Sequence, residues 1–322
     1  MKKIAPLALL AIFFVSQSAF QSYWGFWAHK RINRLAVFRL PAEMQFFYKK
    51  NIDYLTENAV NPDQRRYAVV GEAERHFIDL DVYGDSALSV LPRFWSKAVE
   101  KIGEDSLRKH GIVPWHLQAA SYQLTEAFRT KDAKRILRLS ADLGHYIGDA
   151  HVPLHTTRNY NGQLTGQEGI HGFWESRLPE LFATDFDLWV GSVNYIDDIP
   201  KKAWEVVAAS HAASDSVFLF EKELTSSFEP DKKYTYELRN NILTRSYSKE
   251  FSGKYHDMLA GQVERRMKAS VQMVGDMWYT CWVNAGQPDL KEIEGYAIDK
   301  KEEAAEQQNW FKRLFNVRSE GD

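Results

Sequence analysis

The sequence predicts an all-α protein, a single multi-helical domain, and three observations carry that expectation. Apolar residues recur at three- and four-residue spacing along most of the 322 residues, the period of helices with one buried stripe. Period-two alternation, the mark of a half-buried strand, is confined to HFIDLDVY at 76–83. Hydrophobic residues make up 44% and charged residues 26%, a globular composition that excludes collagen, a disordered chain and a polytopic membrane protein. Basic and acidic residues nearly balance, 41 against 43, so no strongly basic field advertises a nucleic-acid partner. Bound metal ions can still supply the positive charge that a phosphate needs.

The chain opens like an export signal, residues 1–22. Lys2 and Lys3 precede the apolar run IAPLALLAIFFV, and the small and polar stretch SQSAFQS follows. That run is shorter than the roughly 20 residues a membrane-spanning helix needs, and no later run is longer. The mature chain is therefore expected to be exported, periplasmic or extracellular, with no integral membrane span. Cys281, in MWYTCWV, is the sole cysteine, so no intrachain disulfide forms. An exported chain without one depends on its core, or on metal.

Helical periodicity then runs through 28–40, stopped by Pro41, and resumes over 42–51. Further helical stretches are expected at 86–102, 115–130, 132–150, 171–183, 201–224, 233–245 and 251–284. Residues 23–296 read as one domain. Residues 297–322 read as a charged C-terminal helix and tail, solvated or docking. The segment TTRNYNGQLTGQEGI at 156–170, with three glycines and two asparagines, is the one long loop with strong turn chemistry, and loops of that length usually serve function or mobility.

The chemistry gathers in LSADLGHYIGDAHVPLH. His145 and Asp149 are one helical turn apart and project from the same face. They lie roughly opposite the stripe of Ile136, Leu139, Leu143 and Ile147, so they do not belong to its packing surface. Pro153 ends that helix and His155 follows in the exit turn. In HGFWE, His171 and Glu175 repeat the four-residue spacing. One such pair alone reads as an ordinary helix-surface interaction. Two pairs with a histidine between them are what an oxygen/nitrogen site for several metal ions requires, because imidazole and carboxylate both bind Zn2+ at about 2.0–2.2 Å and a carboxylate can bridge two ions. His151 is left outside the ligand set.

The strings HYIGDAHVPLH and HGFWE, preceded by WGFWAH, resemble the trinuclear-zinc phosphodiesterases: the single-strand-specific nucleases of fungi and plants and the bacterial zinc-dependent phospholipases C. The likeness runs from Trp24 to about Glu175. It implies three zinc ions. Trp24, His29, Asp63, His76, His145 and Asp149 would hold a close pair, with Asp149 bridging and Trp24 binding through a free amine and carbonyl. His155, His171 and Glu175 would hold the third, more exposed ion. Arg66, three residues after Asp63, resembles an arginine that contacts phosphate in the nuclease branch. The implied reaction is attack on phosphorus by a zinc-activated hydroxide, the third zinc stabilising the departing alkoxide and Arg66 sharing the growing charge. Asp63, Arg66 and Asp149 are thus the expected catalytic residues. No Ser-His-Asp set, P-loop or HExxH motif offers a commoner hydrolase chemistry.

Two substrate classes follow from the resemblance. The spacings from Trp24 to His29 and from Asp63 to Arg66 look like the nuclease branch, whereas Glu175 and the short interval from His155 to His171 look like the phospholipase branch. Single-stranded DNA or RNA is the expected substrate and a phospholipid head group the alternative. A nucleic acid needs an aromatic platform, for which Tyr67, Phe77, Tyr146, Tyr160 and Phe173 lie close in sequence to the ligands. A non-catalytic zinc-binding protein is a third reading. No protein partner is inferable. One feature departs from the family pattern: Tyr23 is too large for the residue before a signal-peptidase cut. Cleavage after Ser18 or Ser22 leaves Trp24 inside the chain, where its amide nitrogen does not coordinate; either further trimming exposes Trp24, or His29 and Asp149 hold a weakened ion with help from a carbonyl and water.

Overall fold

The structure, a computed structural model, describes residues 25–239 and 242–298. The expected export signal, Trp24, and the expected helix and tail from Asp299 onward lie outside those residues. The described chain is all-α apart from one hairpin. Among the described residues no helix is long and apolar enough to cross a membrane.

Helix α1 (Gly25–Val37) enters the core directly, burying Ile32, Asn33, Ala36 and Val37. The amides of Phe38, Arg39 and Leu40 then close three-residue turns, and Pro41 starts α2 (Ala42–Lys50). Short helices α3 (Ile52–Glu57) and α4 (Asn61–Arg65) flank a 3-10 turn at Asn58–Val60. Asn33 ties α1 to α3 and to a later helix: its amide donates to the carbonyls of Leu55 at 3.2 Å and of Ala141 at 3.1 Å.

The 76–83 segment is not the strand its alternation suggests. Ala73–His76 and Leu80–Tyr83 are single 3-10 turns joined by three residues. The alternation does hold for burial, since His76, Ile78 and Leu80 face inward. No second strand lies alongside, so the amides go singly to other segments: Ile78 N–H to the His155 carbonyl at 2.9 Å and Asp79 N–H to the His110 carbonyl at 2.7 Å.

The expected helix at 86–102 is two, α5 (Ala87–Val90) and α6 (Trp95–Ile102), and α7 (Glu104–Lys109) follows. Helices α8 (Val113–Arg129) and α9 (Ala133–Ala150) form the central antiparallel pair. Asp132 caps α9 by accepting from the Arg135 amide at 3.0 Å. Helix α9 has no solvent face in its last two turns: every residue from Leu143 to Ala150 is buried. His145 and Asp149 do point away from the apolar stripe, as their spacing predicts, but toward α1 and the 3-10 turns rather than toward water. Helix α1 reaches α9 closely because Gly144 and Gly148 have no side chain: a Cβ on Gly144 would lie 1.9 Å from Asn33 Oδ1, and one on Gly148 2.8 Å from His29 Nδ1.

After α9 the chain makes a 3-10 turn, Pro153–Thr156, and the expected loop. It then forms α10 (Ile170–Gly172), a π-helical turn at Phe173–Arg177, and α11 (Leu178–Phe182). The loop is pinned by its own polar side chains, Gln167 donating to Glu221 at 2.6 Å and Asp81 accepting from Thr157 at 2.9 Å. Long α12 (Ile199–Ser227) follows.

Residues 233–245 are a correction. They form no helix but strands β1 (Tyr234–Arg239) and β2 (Ile242–Tyr247), paired antiparallel with Tyr234 opposite Tyr247 and Leu238 opposite Leu243. Tyr234, Tyr236 and Leu238 repeat at period two, and two asparagines separate the strands, which is hairpin chemistry. The anchor is aromatic: Tyr247 stacks on Phe173 with ring centroids 3.8 Å apart. The expected 251–284 helix is also two, α13 (Lys249–Met258) and α14 (Gln262–Asn284), broken at Ala260 and Gly261, both at positive φ. Buried Arg39 fastens α14 to the rest through Asp276 at 2.9 Å and the Gly191 carbonyl at 2.8 Å.

Candidate metal centre

Eight polar side chains from seven segments meet where α1, α4 and α9 converge with the 3-10 and π-helical turns. Helix α1 supplies His29, α4 supplies Asp63, and the turn at Ala73–His76 supplies His76. One turn of α9 separates His145 from Asp149. His155 sits in the turn after Pro153, His171 on α10, and Glu175 in the π-helical turn. Single π turns inside helices recur at functional sites because they re-aim one side chain.

Three sets of donor atoms result, each within 4.8 Å: His29 with His145 and Asp149; Asp63 with His76 and His145; His155 with His171 and Glu175. Asp149 divides its oxygens between the neighbours. Oδ1 lies 3.3 Å from His29 Nε2, while Oδ2 lies 2.8 Å from His76 Nδ1 and 3.2 Å from His145 Nε2. Asp63 Oδ1 stands 3.7 Å from both His76 Nδ1 and His145 Nε2. In the third set, His171 Nε2 is 2.9 Å and His155 Nε2 is 3.4 Å from Glu175 Oε2.

The donor set fits zinc. Two ligands on a tetrahedral ion at about 2.0–2.1 Å stand about 3.3 Å apart, close to most of these separations. The hydrogen bonds behind the rings fix which nitrogen faces in. His145 Nδ1 donates to the Ala59 carbonyl at 2.8 Å, and His155 Nδ1 donates to the His76 carbonyl at 2.6 Å. In their neutral forms each ring then directs a lone pair at its cluster, the arrangement that orients metal-binding histidines. Those lone pairs face the carboxylate oxygens Asp149 Oδ2 and Glu175 Oε2, and a proton or a metal cation between them relieves the opposition.

The electrostatics agree. Burial disfavours charge on His145, but the Asp149 and Asp63 carboxylates override it and raise its pKa to about 9. Burial likewise opposes ionisation of Asp149, yet His145 and His155 hold it well below the usual carboxylate range. Glu175 is lowered in the same way, against burial, by His171 and His155. Each carboxylate is thus poised to stay charged beside a cation.

An open cleft of about 780 Å³ borders these groups, lined by His29, Asp63, Asp149, His155, His171 and Glu175. Arg66, Tyr67 and Tyr160 line it too. The two adjacent arginines divide their work. Arg65 turns inward to Asp142 at 3.0 Å and Glu72 at 3.3 Å, leaving Arg66 to the cleft. Of the five candidate aromatics, Tyr67 is 83% and Tyr160 49% exposed at this cleft. Tyr146 and Phe173 are core, and Phe77 is half-buried. Trp24 lies outside the described residues, although Gly25, its neighbour, borders the cleft.

His151 points elsewhere. Its Nδ1 donates to the Ile147 carbonyl at 2.7 Å, and burial lowers its pKa to about 3. Sequence reasoning missed the layer behind the site: Glu72, buried, receives Tyr146 Oη and Arg75 and lies 3.9 Å from His76 Nε2. Glu72 and His76 also show the acid–histidine spacing of four, in reverse order, which is the signal that could have found it.

No family model matches the sequence, and no curated protein is significantly similar to it. Among solved structures the chain is similar to an alpha toxin from Clostridium absonum, with a TM-score of 0.43 at 10% identity, over 81% of this chain and 64% of that one. The chain therefore spans less than two thirds of the toxin's length.

Proposed function

We propose that this protein is an exported zinc-dependent phosphodiester hydrolase that cleaves single-stranded DNA or RNA. The observation that carries the reading is the convergence of three donor sets on one open cleft that also holds Arg66. His29, Asp63, His76, His145 and Asp149 would hold a close pair of ions, Asp149 bridging, and His155, His171 and Glu175 a third. Bound zinc supplies Lewis acidity toward phosphoryl oxygens and lowers the pKa of water toward neutral. The chain's own residues do the rest. Arg66 places a fixed positive charge where phosphoryl charge grows. Tyr67 and Tyr160 offer exposed ring faces beside the cleft, and stacking on such faces is worth about 1–3 kcal/mol per base.

A phospholipid substrate is the second reading. The hairpin exposes Tyr236, Leu238, Ile242 and Leu243, apolar surface of the kind that meets a lipid interface. Zinc counting, followed by hydrolysis of bis-p-nitrophenyl phosphate with and without chelator, tests the activity. Single-stranded DNA, RNA and phosphatidylcholine assayed side by side then separate the substrates. Faster turnover of phosphatidylcholine than of either nucleic acid would replace the first reading by the second. Stoichiometric zinc with no hydrolysis of any ester would leave a zinc-binding protein without catalysis.

A further inference from the structure

The groove of about 1450 Å³ between α2 and the chain following α14 is lined on its apolar side by Pro41, Phe46, Phe47, Tyr279 and Trp282. Phe46 is 68% exposed, a large ring left standing in the open. The rim is acidic: Glu43, Asp289 and Glu294 line it against one cation, Lys291. The chain leaves this groove at Glu294. Lys50 Nζ then holds the Gly295 carbonyl at 2.9 Å, and Asn51 holds the Tyr296 carbonyl at 3.1 Å. Ile298 packs on the main core. The C-terminal segment therefore departs beside the groove.

That segment carries the complementary pattern. In NWFKRLFNVR, Trp310, Leu314 and Val317 recur at the spacing of one face of a helix, and Phe311 and Phe315 at that of the adjoining face. Residues 310–318 hold Lys312, Arg313 and Arg318 and no acid. An apolar stripe with basic flanks fits an apolar groove with an acidic rim, the helix-in-groove mode of recognition. Residues 299–309 form the spacer, reaching about 16 Å as helix at 1.5 Å per residue and about 36 Å when extended.

We propose that the groove between α2 and the α14 exit is the docking site for the protein's own C-terminal segment, residues 310–318. The apolar stripe covers Phe46, Pro41 and Tyr279, and the basic residues face Glu43 and Glu294. Tethering makes the contact intramolecular, so a short segment of modest intrinsic affinity is held at high effective concentration.

The test replaces Phe46 with the photo-cross-linker p-benzoyl-phenylalanine in the full chain, a position exposed enough to accept it. After irradiation, mass spectrometry is expected to show an intramolecular link to residues 310–318. Glu43→Lys with Glu294→Lys should lower that yield at least fivefold, and adding Lys312→Glu with Arg313→Glu should restore it. Links to a second copy, or to no part of the segment, overturn the proposal. So does a yield indifferent to the charge reversals. Loss of the link in the presence of phosphatidylcholine–phosphatidylglycerol vesicles, with the chain floating alongside them, would assign the segment to a lipid surface instead.

Discussion

His155 Nε2 stands 3.0 Å from His171 Nε2, and Glu175 Oε2 completes the triangle at 3.4 Å and 2.9 Å. Because His155 Nδ1 is committed to the His76 carbonyl, a neutral His155 turns a lone pair on its neighbour. A proton relieves one such opposition. Three donors converging on one point are better served by a divalent ion, and the other two sets, which share His145, repeat the arrangement.

Removing metal should therefore cost stability. An ion that binds only the folded chain stabilises it by about 2.7 kcal/mol at one hundred times its dissociation constant. Exhaustive chelation should lower Tm by at least about 5 °C, read by calorimetry on samples whose zinc loss is verified. An unchanged Tm in zinc-free protein would contradict the metal assignment.

The carboxylates should differ in consequence. Asp149 faces three histidines with its two oxygens, so Asp149→Asn should abolish hydrolysis and release more than one zinc. Glu175→Asp shortens a ligand at the cleft, and about a 10–100-fold loss is expected, the usual scale for a perturbed metal shell. Equal, small losses in kcat/KM for both would rule out a bridging role for Asp149.

Neighbouring arginines should separate cleanly. Arg66→Ala should reduce kcat by about a hundredfold, the scale of one lost electrostatic contact to the reacting group, with zinc content and Tm unchanged. Arg65→Ala removes the partner of Asp142 and Glu72 and should lower Tm instead. A fall in Tm for the Arg66 variant comparable to that for Arg65 would place both in the scaffold.

Two glycines on α9 make distinct forecasts. Gly148→Ala would push against His29 and should weaken zinc binding about 10–100-fold, measured by competition with a chromogenic chelator. Gly144→Ala would strike Asn33 and should cost about 1–3 kcal/mol of stability. Wild-type metal affinity in the Gly148 variant would mean that α1 can shift without disturbing the site.

The pH dependence should reverse with metal. In the metal-free chain His145 has a pKa near 9 against an ordinary 6.5. Its raised folded value contributes stability that is complete below about 6.5 and lost as pH rises through about 9. Zinc needs the neutral ring, so the loaded protein should gain relative to the metal-free one over the same window. Urea titrations at pH 6 and pH 9, with and without zinc, check the sign. A zinc-free chain more stable at pH 9 would refute it.

Much of this was readable from residues. His145 and Asp149 announce themselves by spacing, as do His171 and Glu175, because helical geometry converts a gap of four into a shared face. Glu72 shows the same spacing to His76 in reverse order, but its role depends on the 3-10 turn at Ala73–His76, which no apolar periodicity marks. In the hairpin, Tyr234, Leu238 and Ile242 also fit a helical period, so the period-two pattern is ambiguous in sequence, and the stacking of Tyr247 on Phe173 favours the strands. That Asp142 would hold Arg65 across 77 residues is a tertiary fact with no local trace.

The segments that build the site are unevenly separated along the chain, and that spacing sets an order of assembly. His155, His171 and Glu175 belong to one stretch of sequence, so closing a single modest loop brings them together. The two sets that share His145 need α1 and α4 to meet α9, a closure of more than eighty residues fixed by contacts such as His145 to Ala59, 86 residues apart. Loop closure grows more costly with length, and non-local contacts form late. A folding chain would thus own one metal trap early and the other two only when the last helix docks.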